Sequence, residues 1–250
     1  MTDKTEIVRR FGRSKDSYDD NAYVQRIVVD RVGDLVKKFV PNKPLNVFEI
    51  GCGTGMLTKK LKKIPQVNKL LINDLVNDLC VKTAATNEIA EENIFVGDVE
   101  EIDLPPNPDL IISSSVFQWL SRPADTFKRL TAQLSCGGLL IFSTFGKENL
   151  KELTEITGNA LTYPNRRELE NYLENCSILY SGEEHHTIWF DNPLEILKHV
   201  KRTGVNAVGQ KKQWTQGDLE QFVKSYQSCH VSSKGYPLTY HPIYIVAQKY

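Results

Sequence analysis

The chain has 250 residues, of which 40% are hydrophobic and 25% are charged, a composition typical of a globular protein that folds around its own core. Lys and Arg together number 31, as do Asp and Glu, so the formal net charge is zero. This balance gives no reason to expect a nucleic acid or a membrane surface as a partner. We predict a single domain over residues 1–250 that works as a monomer.

The cysteines and the first residues bear on the cellular compartment. The five cysteines are odd in number and form no Cys-x-x-Cys pair, which argues against a disulfide framework and against a zinc site. Residues 1–15 alternate charges and have no apolar core, unlike a signal peptide. These features predict a reduced, cytoplasmic protein without a bound metal ion.

The first elements follow from apolar periodicity. Residues 19–39 carry apolar side chains at helical spacing, so residues 1–40 are predicted to form an N-terminal helical segment that stops at Pro41 and Pro44. Short strands and helices then alternate, which predicts an α/β fold with a mostly parallel sheet and helices on both faces. The predicted strands are 45–50, 69–73, 93–96, 109–113 and 139–144, and the helices among them are 56–63, 76–85 and 123–134.

The alternation ends after the fifth strand. Helical patterns follow at 147–157, 166–175 and 192–203, and strand-like segments at 187–190 and 243–249. We expect the late strands to complete the sheet as an antiparallel hairpin. The helices within about 147–175 and 191–232 are expected to form a lid over the active site. His185 and His186 are predicted to point to opposite faces of a strand, not to bind a metal.

The strongest local signal is the sequence Glu-Ile-Gly-Cys-Gly-Thr-Gly at residues 49–55. A strand ends in the acid Glu49, and three glycines, Gly51, Gly53 and Gly55, precede a helix. Glycine admits positive φ and has no Cβ, so this backbone can lie directly against a cofactor at the carboxyl end of the strand. The dinucleotide pattern Gly-x-Gly-x-x-Gly is a competing interpretation, but its spacing differs.

Polar residues also follow the next three strands. Asp74 ends the second strand, where its carboxylate can accept hydrogen bonds from two ribose hydroxyls. Asp98 follows the third strand and can accept from an adenine amino group. Ser113, Ser114 and Ser115 end the fourth strand and would border the reacting group. Together with Glu49 and the glycines, these residues resemble the first motifs of the class I S-adenosylmethionine-dependent methyltransferases.

That resemblance implies a Rossmann-like, mostly parallel seven-stranded sheet with an inserted helical lid. It also implies S-adenosylmethionine as the methyl donor and S-adenosylhomocysteine as the product. The residues expected to bind this cofactor are Arg13, Tyr18, Glu49, Gly51, Cys52, Gly53, Gly55, Asp74, Leu75, Asp98, Val99 and Ser113.

The flanking segments narrow the resemblance further. Phe11-Gly12-Arg13-Ser14, Phe117-Gln118-Trp119, Trp189-Phe190-Asp191 and Tyr236-Pro237-Leu238-Thr239-Tyr240 resemble the malonyl-acyl-carrier-protein O-methyltransferases of biotin synthesis. The resemblance runs from about residue 11 to residue 249, and 205–207 departs from the family pattern. Members of that family methylate the free carboxyl of a malonyl group carried on acyl carrier protein, and the ester primes pimeloyl synthesis.

The resemblance implies roles for five residues at the reacting end. Tyr18 is expected to close the site over the cofactor, with a surface aromatic as the alternative. Gln118 and Trp119 are expected to border the substrate, although Trp119 would serve equally well in the core. Arg166 or Arg167 is expected to hold the substrate carboxylate, because Arg offers two parallel donors.

The chemistry requires no general base, because a carboxyl group with a pKa near ~4 is already ionised at neutral pH. Alignment and exclusion of water by the lid would provide the acceleration. The basic stretch of Lys198, Lys201, Arg202, Lys211 and Lys212 is expected to meet the acidic carrier protein, with a solvated helix face as the alternative. Two other functions stay open: a class I methyltransferase for another small acceptor, and a nucleotide-binding protein or dehydrogenase on the same sheet.

Overall fold

The computed structural model describes residues 4–14, 22–158, 162–203 and 214–250. Its helices are α1 (Lys4–Ser14), α2 (Tyr23–Phe39), α3 (Met56–Leu61), α4 (Asn77–Asn87), α5 (Pro123–Gln133), α6 (Lys151–Thr157), α7 (Arg166–Asn171), α8 (Pro193–Arg202) and α9 (Gln216–Cys229). Its strands are β1 (Leu45–Ile50), β2 (Val67–Asp74), β3 (Ile94–Val96), β4 (Leu110–Ser114), β5 (Leu139–Phe145), β6 (Cys176–Glu183), β7 (His186–Phe190), β8 (Tyr236–Tyr240) and β9 (Pro242–Lys249).

Seven strands form one sheet in the order β3-β2-β1-β4-β5-β9-β6. The first five strands are parallel, and β9 runs antiparallel between β5 and β6. The strand order reverses between β1 and β4: β2 and β3 are added on one side of β1, and the chain then crosses to the opposite side of β1 to form β4 and β5. Ligands bind at such a switch point in open α/β sheets. The predicted mostly parallel, seven-stranded sheet is confirmed.

Helices cover both faces of this sheet. Alternate residues of a strand point to opposite faces, so Val47 of β1 joins one buried cluster and Phe48 the other. The first cluster packs the sheet against α2, and the second packs it against α5 through Phe127 and Phe142, whose ring centroids lie 5.1 Å apart. Removing a fully buried ring such as Phe142 would cost about 3–5 kcal/mol. The two cores hold the carboxyl edge of the sheet in place.

The late elements differ from the sequence-based expectation. Instead of one hairpin, β9 enters the large sheet, while β7 and β8 form a separate antiparallel pair. The predicted helix at 166–175 stops at Asn171, because the chain turns into edge strand β6. Strand β6 has mixed polarity and pairs with β9 alone, so its sequence carries no clear alternation. In the part of the chain that is described, no helix is long and apolar enough to cross a membrane.

Candidate functional site

A cavity opens at the carboxyl ends of β1, β2, β3 and β4, and helix α1 forms one of its walls. The space measures about 920 Å³, counting the part open to solvent. The lining includes Gly51 and Gly53 of the loop after β1, Asp74 at the end of β2, Asp98 after β3, and Ser114 and Ser115 at the end of β4.

The glycine loop presents bare backbone to this cavity. Gly51, Gly53 and Gly55 have φ values of +71°, +53° and +87°, in the left-handed region that other residues avoid. A Cβ on Gly53 would meet no protein atom within 4 Å, whereas a Cβ on Gly51 would lie 2.2 Å from Val116 Cγ2. Gly53 is therefore open toward a ligand, and Gly51 is required by packing. Gly55 is not among the lining residues and serves the turn into α3.

Asp74 ties the loop to the next strand. Its Oδ2 accepts a hydrogen bond from the backbone N–H of Gly53 at 2.8 Å, and its Oδ1 accepts from that of Val76 at 2.8 Å. Burial raises the pKa of Asp74, and these N–H donors partly offset that rise. Each carboxylate oxygen has a further lone pair. A carboxylate lining the cavity thus retains acceptor capacity for a ligand diol.

Glu49 lies beneath the loop and does not line the cavity. The Thr58 hydroxyl donates to its Oε2 at 2.7 Å, and burial raises the pKa of Glu49 to about 8. Cys52 is likewise buried outside the lining, and its N–H donates to the carbonyl of Asn73 at 2.8 Å. In this structure both residues support the loop from below.

The adenine-side acid predicted from the sequence, Asp98, lines the cavity, as do Leu75 and Val99. Its Oδ1 accepts from the backbone N–H of Glu100 at 3.0 Å, and its Oδ2 lies 2.5 Å from the ammonium of Lys4. Lys4 also contacts the carboxylate of Glu100. Sequence patterns gave no sign of this contact, because α1 reaches the cavity only through tertiary packing.

Of the three serines at the end of β4 that were expected to border the reacting group, one is buried away from the cavity. Ser113 is fully buried, and its hydroxyl donates to the carbonyl of Ile50 at 2.9 Å, whereas Ser114 and Ser115 line the cavity. Ser115 has a φ of +58°, rare for a residue with a side chain. Its carbonyl accepts from Gln118 Nε2 at 2.6 Å, and Gln118 Oε1 accepts from the Thr144 hydroxyl at 3.2 Å. Gln118 thus holds this strained turn instead of lining the cavity.

The remaining predicted residues divide between the cavity and the surface. Trp119 lines the cavity, and Phe11 of α1 packs edge-on against it with ring centroids 6.0 Å apart. Arg166 and Arg167 are exposed on α7 and are not brought to the cavity. Tyr18 and the side chain of Arg13 lie outside the described residues. The apolar wall of Ile7 and Phe11 could have been found from their i, i+4 spacing.

A second polar group lies beyond the end of β5. Glu148, His185 and His241 each offer an atom within 4.8 Å of the others, a spacing that a metal ion could bridge. However, the two rings stack 4.3 Å apart, and His241 Nδ1 accepts from the Glu148 N–H at 3.2 Å. A neutral ring that accepts at Nδ1 carries its proton on Nε2, so it has no lone pair left for a metal. Burial lowers the pKa of His241, and the neighbouring carboxylates of Glu183 and Glu148 partly offset this change.

Comparisons with known proteins agree with this geometry. A family model described as a methyltransferase domain matches residues 22–208. A malonyl-[acyl-carrier protein] O-methyltransferase from Bacteroides thetaiotaomicron is 37% identical over 98% of both chains. One of the same name from Calditerrivibrio nitroreducens is 37% identical over 93% of this chain and 91% of its own.

Solved structures support the fold. The YcgJ protein from Bacillus subtilis has a TM-score of 0.64 at 13% identity, covering 87% of this chain and 97% of its own. The N-methyltransferase NodS from Bradyrhizobium japonicum, solved with S-adenosylhomocysteine, has a TM-score of 0.52 at 13% identity, covering 88% and 86%. The predicted Rossmann-like class I methyltransferase fold is confirmed.

Proposed function

The chain belongs to the malonyl-[acyl-carrier protein] O-methyltransferase family, and from this we propose that it methylates the free carboxylate of a malonyl group carried on acyl carrier protein. The methyl donor is S-adenosylmethionine. The observation that carries the proposal is the identity to proteins of that name, which extends along nearly the whole of both chains. The product, a malonyl methyl ester, would serve biotin synthesis by hiding the acid during chain extension.

The residues around the cavity suit this donor. Gly53 leaves room at the loop, Asp74 offers carboxylate lone pairs for a ribose diol, and Asp98 offers one for an adenine amino group. Leu75 and Val99 supply apolar contacts on the adenine side. When bound, the sulfonium of the donor supplies an electrophilic methyl group. The strained Ser115 turn, held by Gln118, marks the wall at which the acceptor would approach.

The acceptor needs positioning more than activation. A malonyl carboxyl is ionised at neutral pH, so no side chain has to remove a proton. This agrees with a cavity lining whose described residues include no histidine. The protein would contribute alignment, for which well-oriented model reactions gain up to ~7–11 kcal/mol. The wall formed by α1 and Trp119 would exclude water from the reacting groups.

The carboxylate partner proposed for the substrate is Arg166 or Arg167. Both are exposed on α7 outside the cavity lining, and the Arg166 guanidinium lies 3.9 Å from Glu170, so the proposal rests on the family resemblance and not on their position in this structure. Replacing the true partner with Ala should slow methylation sharply while the cofactor product still binds, and Lys should rescue only in part. Full activity in both single Ala variants, measured on malonyl-acyl carrier protein, would remove both residues from this role.

The proposed docking surface for the carrier protein is the basic side of α8. Lys198, Lys201 and Arg202 are exposed there, and Lys198 pairs with Glu195 at 2.7 Å. Lys211 and Lys212, expected to extend this surface, lie outside the described residues. Opposite charges would speed encounter with an acidic carrier more than they would add affinity. We propose that the protein acts as a monomer in the cytoplasm.

A panel of acceptors tests the proposal. Transfer of a labelled methyl group from S-adenosylmethionine should be efficient with malonyl-acyl carrier protein and absent with acetyl-acyl carrier protein, which has no free carboxylate. Free malonate or another small acid methylated better than the carrier-bound group would replace this function with that of a small-molecule methyltransferase. No transfer to any carboxylate would refute it.

A further inference from the structure

His241 is the single residue between β8 and β9, at a place where the chain passes between the large sheet and the elements beside it. Strand β5 continues into α6 through residues 146–150, and β6 continues into β7 through residues 184–185. His241 contacts both of these connections. It is not among the described residues that line the cavity, and the cofactor motifs give it no role.

The backbone of His241 is bonded to the 146–150 segment. The Gly146 N–H donates to the His241 carbonyl at 2.8 Å, and the His241 N–H donates to Asn149 Oδ1 at 3.3 Å. A Cβ on Gly146 would lie 2.7 Å from Nδ1 and Cε1 of the His241 ring. The ring therefore packs directly against the backbone that leads from β5 to α6.

The imidazole adds the side-chain part of this contact. His241 is only 6% exposed, and its Nδ1 accepts from the Glu148 N–H at 3.2 Å. One face of the ring stacks on His185, with centroids 4.3 Å apart, and Nε2 lies 3.5 Å from Glu183 Oε2. One side chain thus joins the connection before α6 to the connection before β7.

The 146–150 segment lies between the cavity wall and α6. Thr144 of β5 comes just before it, and the Thr144 hydroxyl donates to Gln118, whose amide holds the Ser115 turn. Helix α6 follows the segment directly and is the first of the helices expected to form the lid. A shift of residues 146–150 would therefore move α6 relative to the wall at which the acceptor would approach.

We propose that His241 is a positioning residue for the acceptor: it fixes residues 146–150, and through them α6, beside the end of β5. It acts through the N–H of Glu148 and touches neither the cofactor nor the acceptor. The proposal rests on the proposed function, because it takes α6 to cover the malonyl group at the site of methyl transfer.

Proton uptake by His241 would break this contact, because an imidazolium has donors at both ring nitrogens and cannot accept from the Glu148 N–H. The ionisable groups that face the ring are His185, Glu183 and Glu148, and Glu148 also pairs with Lys151 of α6 at 3.0 Å. Because burial and His185 lower the pKa of His241, the fold favours the neutral ring. The contact is therefore retained at neutral pH and is lost as the pH falls below the ordinary His pKa of about 6.5.

Two substitutions test the contact. His241→Asn places an amide oxygen near the position of Nδ1, so it can accept from the Glu148 N–H, and it does not titrate. His241→Gln extends its amide toward the position of Nε2 and leaves that N–H without an acceptor. The value of kcat/KM for malonyl-acyl carrier protein should fall in the wild type between about pH 7.5 and about pH 5, and it should fall less in His241→Asn.

His241→Gln should lose about fivefold in kcat/KM for malonyl-acyl carrier protein already at about pH 7.5. Its affinity for S-adenosylhomocysteine, measured by calorimetric titration, should stay within about twofold of the wild type, because His241 does not line the cavity. His186→Asn is the matched control. It removes a titrating ring of the neighbouring strand that pairs with Glu184 at 3.1 Å, and it should keep the acid profile of the wild type.

Hydrogen exchange gives a readout that does not depend on activity. In the wild type, peptides that cover residues 146–150 should lose protection as the pH falls, after correction for the intrinsic pH dependence of exchange. Peptides from β1 should not. In His241→Asn the protection of residues 146–150 should persist in acid, since its amide oxygen replaces Nδ1 as the acceptor.

Three outcomes would overturn this proposal. An acid profile of His241→Asn that matches the wild type would place the titration at another group. Unchanged kcat/KM in His241→Gln would mean that the bond positions nothing. Parallel losses of cofactor affinity and thermal midpoint in that variant would make His241 a purely structural residue. A wild type that transfers no methyl group to malonyl-acyl carrier protein would refute the proposed function instead, and the exchange measurement would still decide whether His241 fixes residues 146–150.

Discussion

Substitution of Gly53 by Ala separates cofactor contact from fold stability. Gly53 has a φ of +53°, and a Cβ there would meet no protein atom within 4 Å. The substitution therefore costs the folded chain only the conformational energy of a left-handed backbone at a residue with a Cβ. A left-handed residue with a Cβ costs about 1–2 kcal/mol. For a chain of this size that lowers the thermal midpoint by roughly 2–8 °C. The added methyl group, however, enters the cavity at the place where the backbone of the glycine loop is proposed to contact the cofactor.

Gly158 provides the matched control. It caps α6 with a φ of +66°, a Cβ there would also meet nothing within 4 Å, and it is not part of the cavity lining. Both Ala variants should therefore lose similar stability in thermal unfolding. Only Gly53→Ala should lose affinity for S-adenosylhomocysteine in calorimetric titration, by at least tenfold, or about 1.4 kcal/mol. Gly53→Ala with wild-type affinity would mean that the loop does not contact the ligand.

Three further variants test other parts of the account. Asp74→Ala removes the acceptor of two backbone N–H groups, which costs about 1–3 kcal/mol for each, so the thermal midpoint should fall. The affinity for S-adenosylhomocysteine should fall as well. An unchanged affinity in calorimetric titration would contradict the proposed role of Asp74 in cofactor binding. Because burial raises the pKa of Glu49 to about 8, its contribution to stability is complete below its unfolded pKa of about 4.3 and is lost as the pH rises through 8. Thermal unfolding of Glu49→Gln should accordingly depend less on pH across this window than that of the wild type, and equal slopes would argue against a raised pKa. Charge reversal of Lys198, Lys201 and Arg202 should raise KM for malonyl-acyl carrier protein, and this increase should be smaller at high salt. KM for a small malonyl thioester should stay nearly unchanged. Equal increases in KM for the two substrates would indicate misfolding.

The sequence predicted the alternating strands and helices up to β5, where the local sequence pattern and the tertiary structure agree. Strand β1 and the glycine loop are identifiable because a buried parallel strand is mostly apolar and because positive φ favours glycine. The acids after β2 and β3 follow from the rule that strand ends meet at one edge. These features predicted the sheet and a cofactor site at its carboxyl edge, and the family resemblance of the same residues implied S-adenosylmethionine as the cofactor.

The remainder depends on packing that no local pattern contains. Edge strand β6 is half exposed and polar, so only its pairing with β9 identifies it. Ser113 is buried beside β1 instead of bordering the cavity with Ser114 and Ser115, because its hydroxyl is bonded to the Ile50 carbonyl, a tertiary contact that the sequence does not contain. Lys4 and Asp98 are 94 positions apart in the sequence, and their contact depends on how α1 packs at the edge of the sheet.

The most direct test of the proposed function is intact-mass measurement of malonyl-acyl carrier protein after incubation with the enzyme and S-adenosylmethionine. The account predicts a mass gain of one CH₂ on the carrier, removed by mild alkaline hydrolysis as expected for a methyl ester. Gly53→Ala, at equal enzyme concentration and limiting S-adenosylmethionine, should give a smaller gain than the wild type, and the wild type with acetyl-acyl carrier protein should give none. An unmodified malonyl-acyl carrier protein in the presence of wild-type enzyme that binds S-adenosylmethionine would contradict the proposed function.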